Sequence, residues 1–466
     1  FQGDSLVIIP EFECMDDETR YQYKWYVLQS ESRELTVLSE EKDFRKIIPL
    51  PQKEYILYFE VKDPELNVYR RATSKLFVTA NIQNGWYVLK GIDGMTDFDY
   101  MGVDSSRVDN VMKMIVGDAR LQGDPLKIMY HPKSYYTESV DEEGNTVILR
   151  NQKAIHLISD RDFKTIDAAT LQLFKNYEDE FYSFPAGAFP CDINYQKEYL
   201  FYLDAGKLYT CYIGGVGKFG MPKNKDAKFD YDLHPQMISN RDMALVFDRK
   251  SKTFFKGTHS NEGLSYYRDE TGNSLWNSLN AEVVTMLQKS SPEDYSGTGY
   301  VILKDYSKSS GTEYALLSMS ISTYSTSYPV SAWNTIPQGC YLPYSTVWGA
   351  HKNSDCIYFA KGGNVLGVYV NATGLDEREE FFEIRDNDEV ADEDGEEIVF
   401  IQNIEGRFAG DKEKANYLVV AMNHAKGYKV YFFTIVGKTP EFDIKPKYVL
   451  KGEGKAKYVM YYNSSN

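Results

Sequence analysis

The chain has 466 residues and carries 68 acidic against 52 basic side chains, which gives a formal net charge of −16. This length allows two or three domains, each with its own core. The acidic balance argues against nucleic-acid binding, because a phosphate backbone attracts clustered Lys and Arg and the sequence has no basic stripe. No apolar run approaches the ~20 residues that a membrane-spanning helix needs. Residues 1–3 look like the remnant of a cleaved purification tag, and we leave them out of the fold prediction.

The first eighty residues contain short alternating strands around one tryptophan, Trp25. The strand-like segments are residues 21–27, 35–38, 55–61 and 74–79. Short strands at this spacing, with an early buried Trp, are typical of an immunoglobulin-like sandwich. We therefore predict such a domain over residues 4–82. The alternation of the strands places Trp25 in its core against Tyr55, Leu57 or Phe59.

Seven aromatic-rich hairpins follow, each with a short polar turn between two apolar strands. They are residues 85–102, 147–159, 200–212, 244–257, 300–321, 356–370 and 417–435. Their starts lie about 45 to 61 residues apart, close to the period of β-propeller blades. The high content of Tyr (38) and Phe (25) also favours an all-β chain.

The repeats predict a β-propeller over residues 83–466. A ring of blades must close, and Lys455–Asn463 is well placed to add a strand to the first blade. We predict seven blades. Six or eight remain open, because the count uses hairpins rather than whole blades.

Three segments do not fit the strand pattern. Thr165–Tyr182 has apolar residues at helical spacing, which predicts a short helix between blades. Ser105–Leu121 is a weaker helical candidate. The acidic run Asp386–Glu397 is expected at a solvated hairpin tip.

The five cysteines cannot all pair within one chain. Cys191 and Cys211 are 20 residues apart, and Cys340 and Cys356 are 16 apart, so disulfides between neighbouring strands are allowed. Cys14 is left over. Because no C-x-x-C pair is present, we favour buried free thiols over disulfides or a metal site.

No sequence motif identifies a catalytic residue, a metal site or a cofactor. Gly215–Gly220 matches G-x-G-x-x-G, but a proline and no helical period follow, so we interpret it as a loop. The acidic run does not match the ligand positions of an EF-hand, although another kind of calcium loop stays open. The six histidines lack metal-ligand spacing, and no G-x-S-x-G elbow occurs. Paired carboxylates cannot be chosen from sequence alone.

The region from residue 318 to residue 348 combines aromatic rings with many hydroxyls. Flat rings stack on the faces of sugars and peptides while polar groups fix the orientation. The predicted ligand-binding residues are Tyr324, Tyr328, Trp333, Tyr344 and Trp348, together with Trp276 in a separate loop. The competing interpretation is an ordinary Tyr-rich blade edge followed by a long loop.

The strands YKWYVL and YILYFEVKD and the Tyr-rich repeats resemble the PKD-like surface lipoproteins of Bacteroidetes. The resemblance covers most of the chain, but its motifs are diffuse and include no catalytic signature. It implies a lipid-anchored protein at the cell surface, in the outer membrane, encoded beside SusC/SusD-type importers. By the same resemblance, the partners are a glycan or peptide ligand and such an importer.

We therefore predict a non-enzymatic surface binding protein that assists glycan or peptide uptake, without a cofactor or metal. Two alternatives stay open. One is a propeller enzyme, either a glycoside hydrolase or a polysaccharide lyase, with its site in the central depression. The other is a structural accessory of the importer. Carboxylates around the channel would favour the enzyme, and exposed aromatic rings would favour the binding protein. A flat apolar patch would favour the structural accessory of the importer.

Overall fold

The computed structural model describes residues 5–11, 20–28, 35–48, 50, 53–78, 84–140, 146–168, 171, 173–196, 198–215, 217–268, 276–291, 294–307, 313–322, 330–371, 374–376, 382–386, 389–390, 397–435 and 445–463. Strands dominate, and the all-β prediction is confirmed. The described residues contain one α-helix, α1 (Val111–Val116), and no helix long and apolar enough to cross a membrane. The chain divides into two compact units, residues 1–82 with 114–117 and 169–172, and the remaining residues.

The first unit is an immunoglobulin-like sandwich of two antiparallel sheets. Its strands are β1 (Ser5–Ile8), β2 (Gln22–Leu28), β3 (Leu35–Ser39), β4 (Phe44–Ile47), β5 (Lys53–Asp63) and β6 (Val68–Val78). One sheet has the order β3-β2-β5-β6, and the other pairs β1 with β4. The ring of Trp25 on β2 meets that of Phe44 on β4 edge-on at 5.4 Å, so the two sheets pack face to face.

Trp25 occupies the core of this unit, as predicted. Its side chain is 4 % exposed and stacks on Phe59 with 4.2 Å between ring centroids. Tyr55 and Leu57 belong to the same buried cluster. The indole N–H donates to the carbonyl of Glu41 at 3.1 Å, which satisfies its one polar atom.

In the described residues, the second unit contains seven antiparallel sheets of three or more strands, which we number 1 to 7 in chain order. Sheet 1 contains β7 (Gly85–Ile92), β8 (Met95–Gly102), β9 (Arg107–Val108) and β10 (Leu121–Gln122), and sheet 2 contains β11 (Pro125–Val140), β12 (Thr146–Ser159), β13 (Phe163–Asp167) and β14 (Leu173–Lys175). Sheet 3 contains β15 (Pro190–Gln196), β16 (Tyr199–Asp204) and β17 (Lys207–Tyr212). Sheet 4 contains β18 (Ile238–Ser239), β19 (Met243–Asp248), β20 (Thr253–Thr258) and β21 (Ser265–Tyr266).

Sheets 5 to 7 follow the same plan, in which neighbours in the chain are mostly neighbours in the sheet. Sheet 5 contains β22 (Ala281–Gln288), β23 (Ser296–Asp305), β24 (Glu313–Ser322) and β25 (Val330–Thr335). Sheet 6 contains β26 (Trp348–Ala350), β27 (Cys356–Lys361), β28 (Asn364–Asn371), β29 (Gly374–Asp376) and β30 (Phe382–Glu383). Sheet 7 contains β33 (Glu397–Gly406), β34 (Ala415–His424), β35 (Gly427–Thr434) and β36 (Tyr448–Gly452). A separate pair, β31 (Arg385–Asp386) and β32 (Glu389–Val390), lies before sheet 7.

Six of the seven predicted hairpins are confirmed. Described tight turns among them use left-handed backbone conformations: Ala205 and Gly206, between β16 and β17, have φ values of 45° and 72°. Two consecutive positive φ angles match the twist of antiparallel strands. The prediction for residues 147–159 is wrong. This segment lies within the single strand β12, between β11 and β13, and its central Asn-Gln-Lys contains no glycine.

The last strand closes the ring, as predicted. β37 (Lys455–Tyr462) pairs antiparallel with β7, and Val459 lies opposite Val88. Next to this seam, the ring of Trp86 meets that of Phe432 from sheet 7 at 4.6 Å. Sheet 1 therefore combines strands from both ends of this unit, the usual way in which a propeller removes its open edge.

The predicted helix over Thr165–Tyr182 is wrong. The described part of the segment contains residues of β13, the strand β14 and, as its only helical element, a 3₁₀ turn, Tyr177–Glu180. Leu171 has a φ of 56°, which an α-helix does not accommodate. Helical spacing here instead reflects rings such as Tyr177 that are buried in the core of sheets 2 and 3.

The other irregular segments agree in part with the predictions. Within Ser105–Leu121 only α1 is helical. Of the acidic run Asp386–Glu397, Asp386, Glu389 and Val390 belong to the small hairpin and Glu397 begins β33. Residues 387–388 and 391–396 lie outside the described residues.

The cysteines of the described residues are free thiols, which confirms the favoured interpretation. Cys211, Cys340 and Cys356 are buried and Cys191 is half-buried. Cys14 lies outside the described residues.

Candidate functional site

The innermost strands of six of these sheets, together with residues just before β18 of sheet 4, surround a central cavity of about 660 Å³, which we call the channel. Its lining comes from β11, β15, β22, β26, β33 and β37 and from residues 235–237, just before β18. Propeller geometry brings these strands together, because each blade points its first strand at the axis. The volume lies within the range of small-molecule sites.

Amide side chains hold the channel wall together between sheets 4 and 5. The Gln236 carbonyl oxygen accepts the Thr285 hydroxyl at 3.1 Å and the Met286 N–H at 2.9 Å. The Gln288 amide donates to the Ser239 carbonyl at 2.9 Å, and its oxygen accepts the Ser239 N–H at 2.7 Å. These bonds fix the positions of polar side chains that also line the channel.

A partly buried ion pair lies near the start of the first strands. The Lys127 ammonium on β11 donates to the Asp192 carboxylate at 2.7 Å and to the Asn194 amide oxygen at 2.8 Å, both on β15. Burial opposes the charged ammonium, but the Asp192 carboxylate outweighs it and raises the pKa of Lys127. Burial also raises the pKa of the neighbouring Cys191 thiol to about 11, so this sulfur is protonated at neutral pH.

Three lysines mark the opposite end of the channel. Lys289 directly follows β22, Lys352 follows β26 and Lys414 lies between β33 and β34. Lys289 forms an ion pair with Asp355, which also accepts the Tyr300 hydroxyl at 3.1 Å. Partial burial opposes ionisation of Asp355, but Lys289 outweighs it and lowers the pKa of that carboxyl. Lys352 is exposed.

Of the predicted ligand-binding residues, Trp348 lines the channel. It is the first residue of β26, and its indole N–H donates to the Leu342 carbonyl at 2.7 Å. One part of the ring packs on the core between sheets 5 and 6. The remainder is available to a molecule in the channel.

The other predicted residues lie elsewhere. Trp276 is buried and stacks with Trp333 at 6.2 Å, beside the core of sheets 4 and 5 and outside the channel lining. Tyr344 is 57 % exposed and meets Tyr314 edge-on at 5.2 Å. Tyr324 and Tyr328 lie outside the described residues. The structure thus brings Trp276 and Trp333 together and separates both from Trp348.

A buried polar cluster in sheet 2 is the second concentration of titratable groups. His156 lies 2.9 Å from the Thr165 hydroxyl, which donates to Glu180, and Lys175 is 3.6 Å from that carboxylate. Burial lowers the pKa of His156 and raises that of Glu180. The cluster lies outside the channel lining, and we interpret it as a structural network. Across the described residues, no group of three or more His, Cys, Asp or Glu side chains is placed to hold a metal.

Sequence reasoning missed the channel residues Lys127, Asp192, Gln236 and Gln288. All of them lie in or just before the first strand of a sheet, whereas the repeat was recognised from the second and third strands. The available signal was the presence of amides and charges in short strand-like segments that precede each hairpin.

These observations define a class of protein in which an immunoglobulin-like unit is joined in one chain to a β-propeller-like ring with a central channel. Residues 2–125, which extend from the first unit into sheet 1, match the sequence profile of the PKD-like family. The predicted PKD-like resemblance is confirmed for this part of the chain. No curated protein matches the sequence.

Several solved structures are similar to this chain at low sequence identity. A quinoprotein alcohol dehydrogenase-like protein from Bacteroides thetaiotaomicron has a TM-score of 0.49 and 12 % identity, with 99 % of this chain and 95 % of that chain covered. Apo AztD from Citrobacter koseri has a TM-score of 0.38 and 10 % identity, with 81 % and 97 % covered. The Nup133 β-propeller domain of Vanderwaltozyma polyspora has a TM-score of 0.36 and 9 % identity, with 65 % and 83 % covered.

Proposed function

We propose that this protein is a non-enzymatic binding protein that holds part of a glycan or peptide in the central channel. The observation that carries the proposal is the channel itself, a cavity of about 660 Å³ lined by side-chain amides, hydroxyls and aromatic rings from six sheets and from residues just before β18. Such linings suit ligands with many hydroxyl or amide groups, because rings pack on C–H faces and amides both donate and accept.

Two amides are available to a ligand. The oxygen of Gln236 is engaged with Thr285 and Met286, whereas its NH₂ group has no acceptor among the described residues. Gln402 on β33 also lines the channel, and its side chain has no partner within the described part of the chain. Together with the ring of Trp348, these groups form a polar site with one aromatic wall.

Binding is favoured over catalysis because of how the carboxylates are placed. The described lining contains two, Asp192 and Glu405. Asp192 is bound by Lys127 near the start of β15, whereas Glu405 lies near the end of β33. A glycoside hydrolase usually needs two carboxyl groups that flank one bond, about 5 to 9 Å apart, and one of them must be free to exchange a proton.

The PKD-like resemblance extends the proposal to the cell surface. We propose that the protein is lipid-anchored in the outer membrane and passes its ligand to a SusC/SusD-type importer. Labelling of intact cells with a membrane-impermeant reagent, followed by co-purification with the importer, tests both parts. Absence of labelling in intact cells, with labelling after lysis, contradicts the surface location.

The channel assignment is tested by blocking the cavity. In a screen of glycans and peptides, Gln402→Trp should abolish binding of any ligand that the wild type retains, because the larger ring fills the channel. The matched control is Gln122→Trp on the exposed edge of sheet 1, which should bind as the wild type does. Unchanged affinity in a folded Gln402→Trp variant contradicts the proposal.

The aromatic contact is tested in the same screen. Trp348→Ala should weaken binding by about 1–3 kcal/mol, by analogy with base stacking on exposed rings. Trp333→Ala removes a ring of the same kind outside the channel lining and serves as its control. Equal losses in both variants would indicate a general loss of structure rather than a ligand contact.

A further inference from the structure

The charge of the channel lining differs from that of the whole chain. The chain carries a net charge of −16. The charged residues of the lining are Lys127, Lys289, Lys352, Lys414, Asp192 and Glu405, four cations against two anions. A cleft with one excess sign and low-dielectric walls concentrates oppositely charged ligands. The described lining therefore carries more cations than anions although the protein as a whole is acidic.

The excess positive charge lies at one end of the channel. Lys289, Lys352 and Lys414 all follow the carboxyl ends of first strands, those of sheets 5, 6 and 7. These strands are neighbours in the ring, because β22 contacts β26 and β26 contacts β33. The first strands of a propeller run in the same direction around the axis, so the three side chains share one sector of one rim. Lys127 is near the opposite end of its strand.

The groups of this sector differ in how firmly they are held. Lys289 is engaged by Asp355, an ion pair whose carboxylate is largely exposed. Lys352 is exposed and has no side-chain partner among the described residues. Glu405, also exposed, is the one carboxylate of the lining at this end. Lys352 is therefore the cation most available to a ligand.

Resting on the proposed function, we infer that the ligand is an acidic oligosaccharide whose carboxylate or sulfate groups bind at Lys289, Lys352 and Lys414. The Trp348 ring in the same lining is the kind of partner that a sugar ring uses beside its acidic group. This combination favours a glycan over an acidic peptide.

The test compares an acidic oligosaccharide with its uncharged form and with two other polyanions. The probes are an oligogalacturonide, the same oligomer with its carboxyls reduced to alcohols, a chondroitin sulfate oligosaccharide and a poly-glutamate peptide. The wild type should bind at least one of the two acidic sugars about tenfold more tightly than the reduced oligomer. The preference should shrink between about 50 and 300 mM salt, because exposed charges are screened. Binding of the oligogalacturonide shows that carboxylates suffice, because it carries no sulfate.

A pair of charge-matched variants locates the effect. Lys352→Gln should lower affinity for the acidic sugar about fivefold to tenfold and leave the reduced oligomer unchanged. Lys113→Gln removes an exposed lysine of α1, outside the channel lining, and should change neither.

The outcomes separate this inference from the proposed function. Binding of the reduced oligomer as tightly as the acidic one, with loss of both in Gln402→Trp, overturns the acidic preference and keeps the channel as the site. Preferential binding of poly-glutamate overturns the choice of a sugar. Acidic binding that is insensitive to both Gln402→Trp and Lys352→Gln overturns the inference and the proposed function together.

Discussion

Trp86 should be the side chain on which closure of the ring depends most. It lies on β7 at the seam between sheets 1 and 7 and is 1 % exposed. Its ring packs on Phe408, Phe432 and Tyr461, and its indole N–H donates to the Arg407 carbonyl at 3.1 Å. The hydrogen bond joins residues 321 positions apart in the chain, and the other contacts join residues still farther apart.

Replacing Trp86 by Ala removes both the ring and the hydrogen bond. Emptying a buried aromatic site costs about 3–5 kcal/mol, and leaving a buried carbonyl without its donor adds about 1 kcal/mol. The expected loss is therefore about 4–6 kcal/mol. This is a large share of the roughly 5–15 kcal/mol by which a domain is stable.

Guanidinium unfolding followed by circular dichroism measures this loss. Tyr182→Ala, at a largely exposed ring, is the control and should stay within about 0.5 kcal/mol of the wild type. If Trp86→Ala does not fold, Trp86→Phe keeps part of the ring and should lose roughly half as much. A loss below about 1 kcal/mol in Trp86→Ala would refute the role of this seam.

Two further predictions concern other parts of the chain. Trp25→Ala should destabilise the first unit by about 3–5 kcal/mol and make it sensitive to protease while residues 85–463 stay resistant; equal sensitivity of both parts contradicts separate cores. Burial lowers the pKa of His234 from 6.5 to about 4. Between these two pH values the imidazole is therefore protonated in the unfolded chain and neutral in the folded chain. The free energy of unfolding should fall by up to about 3 kcal/mol as the pH drops through this window. His234→Gln should flatten that slope, and an unchanged slope contradicts the assignment.

The hairpins and the core of the first unit were predictable because their causes are local. A glycine that accepts positive φ, such as Gly206, marks a turn between two strands without any knowledge of the fold. Trp25 is similar, since alternation in a sheet with one buried face tells inner from outer residues. The exception is β12. Its polar Asn-Gln-Lys has the composition of a turn but lies within a continuous strand.

The binding residues were harder to predict because blade strands are buried on both faces. All six residues of β19 are buried, and β16 is almost as completely covered. Hydrophobic alternation is lost in such strands, so the sequence does not tell which ring faces the channel and which faces the next blade. This is why Trp333, in an aromatic and hydroxyl-rich segment, packs on Trp276 rather than at the channel.

The channel residues carry no local signal because the site is assembled from first strands of very different length. β18 has two residues and β26 has three, whereas β11 has sixteen. Adjacent first strands also approach closely: a Cβ on Gly349 of β26 would lie 2.2 Å from the Ile401 carbonyl of β33. The need for glycine there comes from a contact between sheets 6 and 7, and nothing in the neighbouring sequence predicts it.

The same amides that line the channel also hold its wall, and this couples binding to fold stability. The side-chain oxygen of Gln236 accepts hydrogen bonds from sheet 5, whereas its NH₂ group is available to a ligand in the channel. One side chain therefore stabilises the wall and contributes to the ligand site through different atoms. Both carboxylate oxygens of Asp192 are used within the protein, because they accept hydrogen bonds from the Lys127 ammonium and from the Met237 N–H. A change at Asp192 therefore leaves a partly buried ammonium unpaired and disturbs the ring itself. A change at Gln402 or Lys352, which hold no neighbour in the described residues, alters the ligand site alone. Ligand specificity in this ring is thus free to vary at positions such as Gln402 and Lys352, whereas Lys127 and Asp192 must change together.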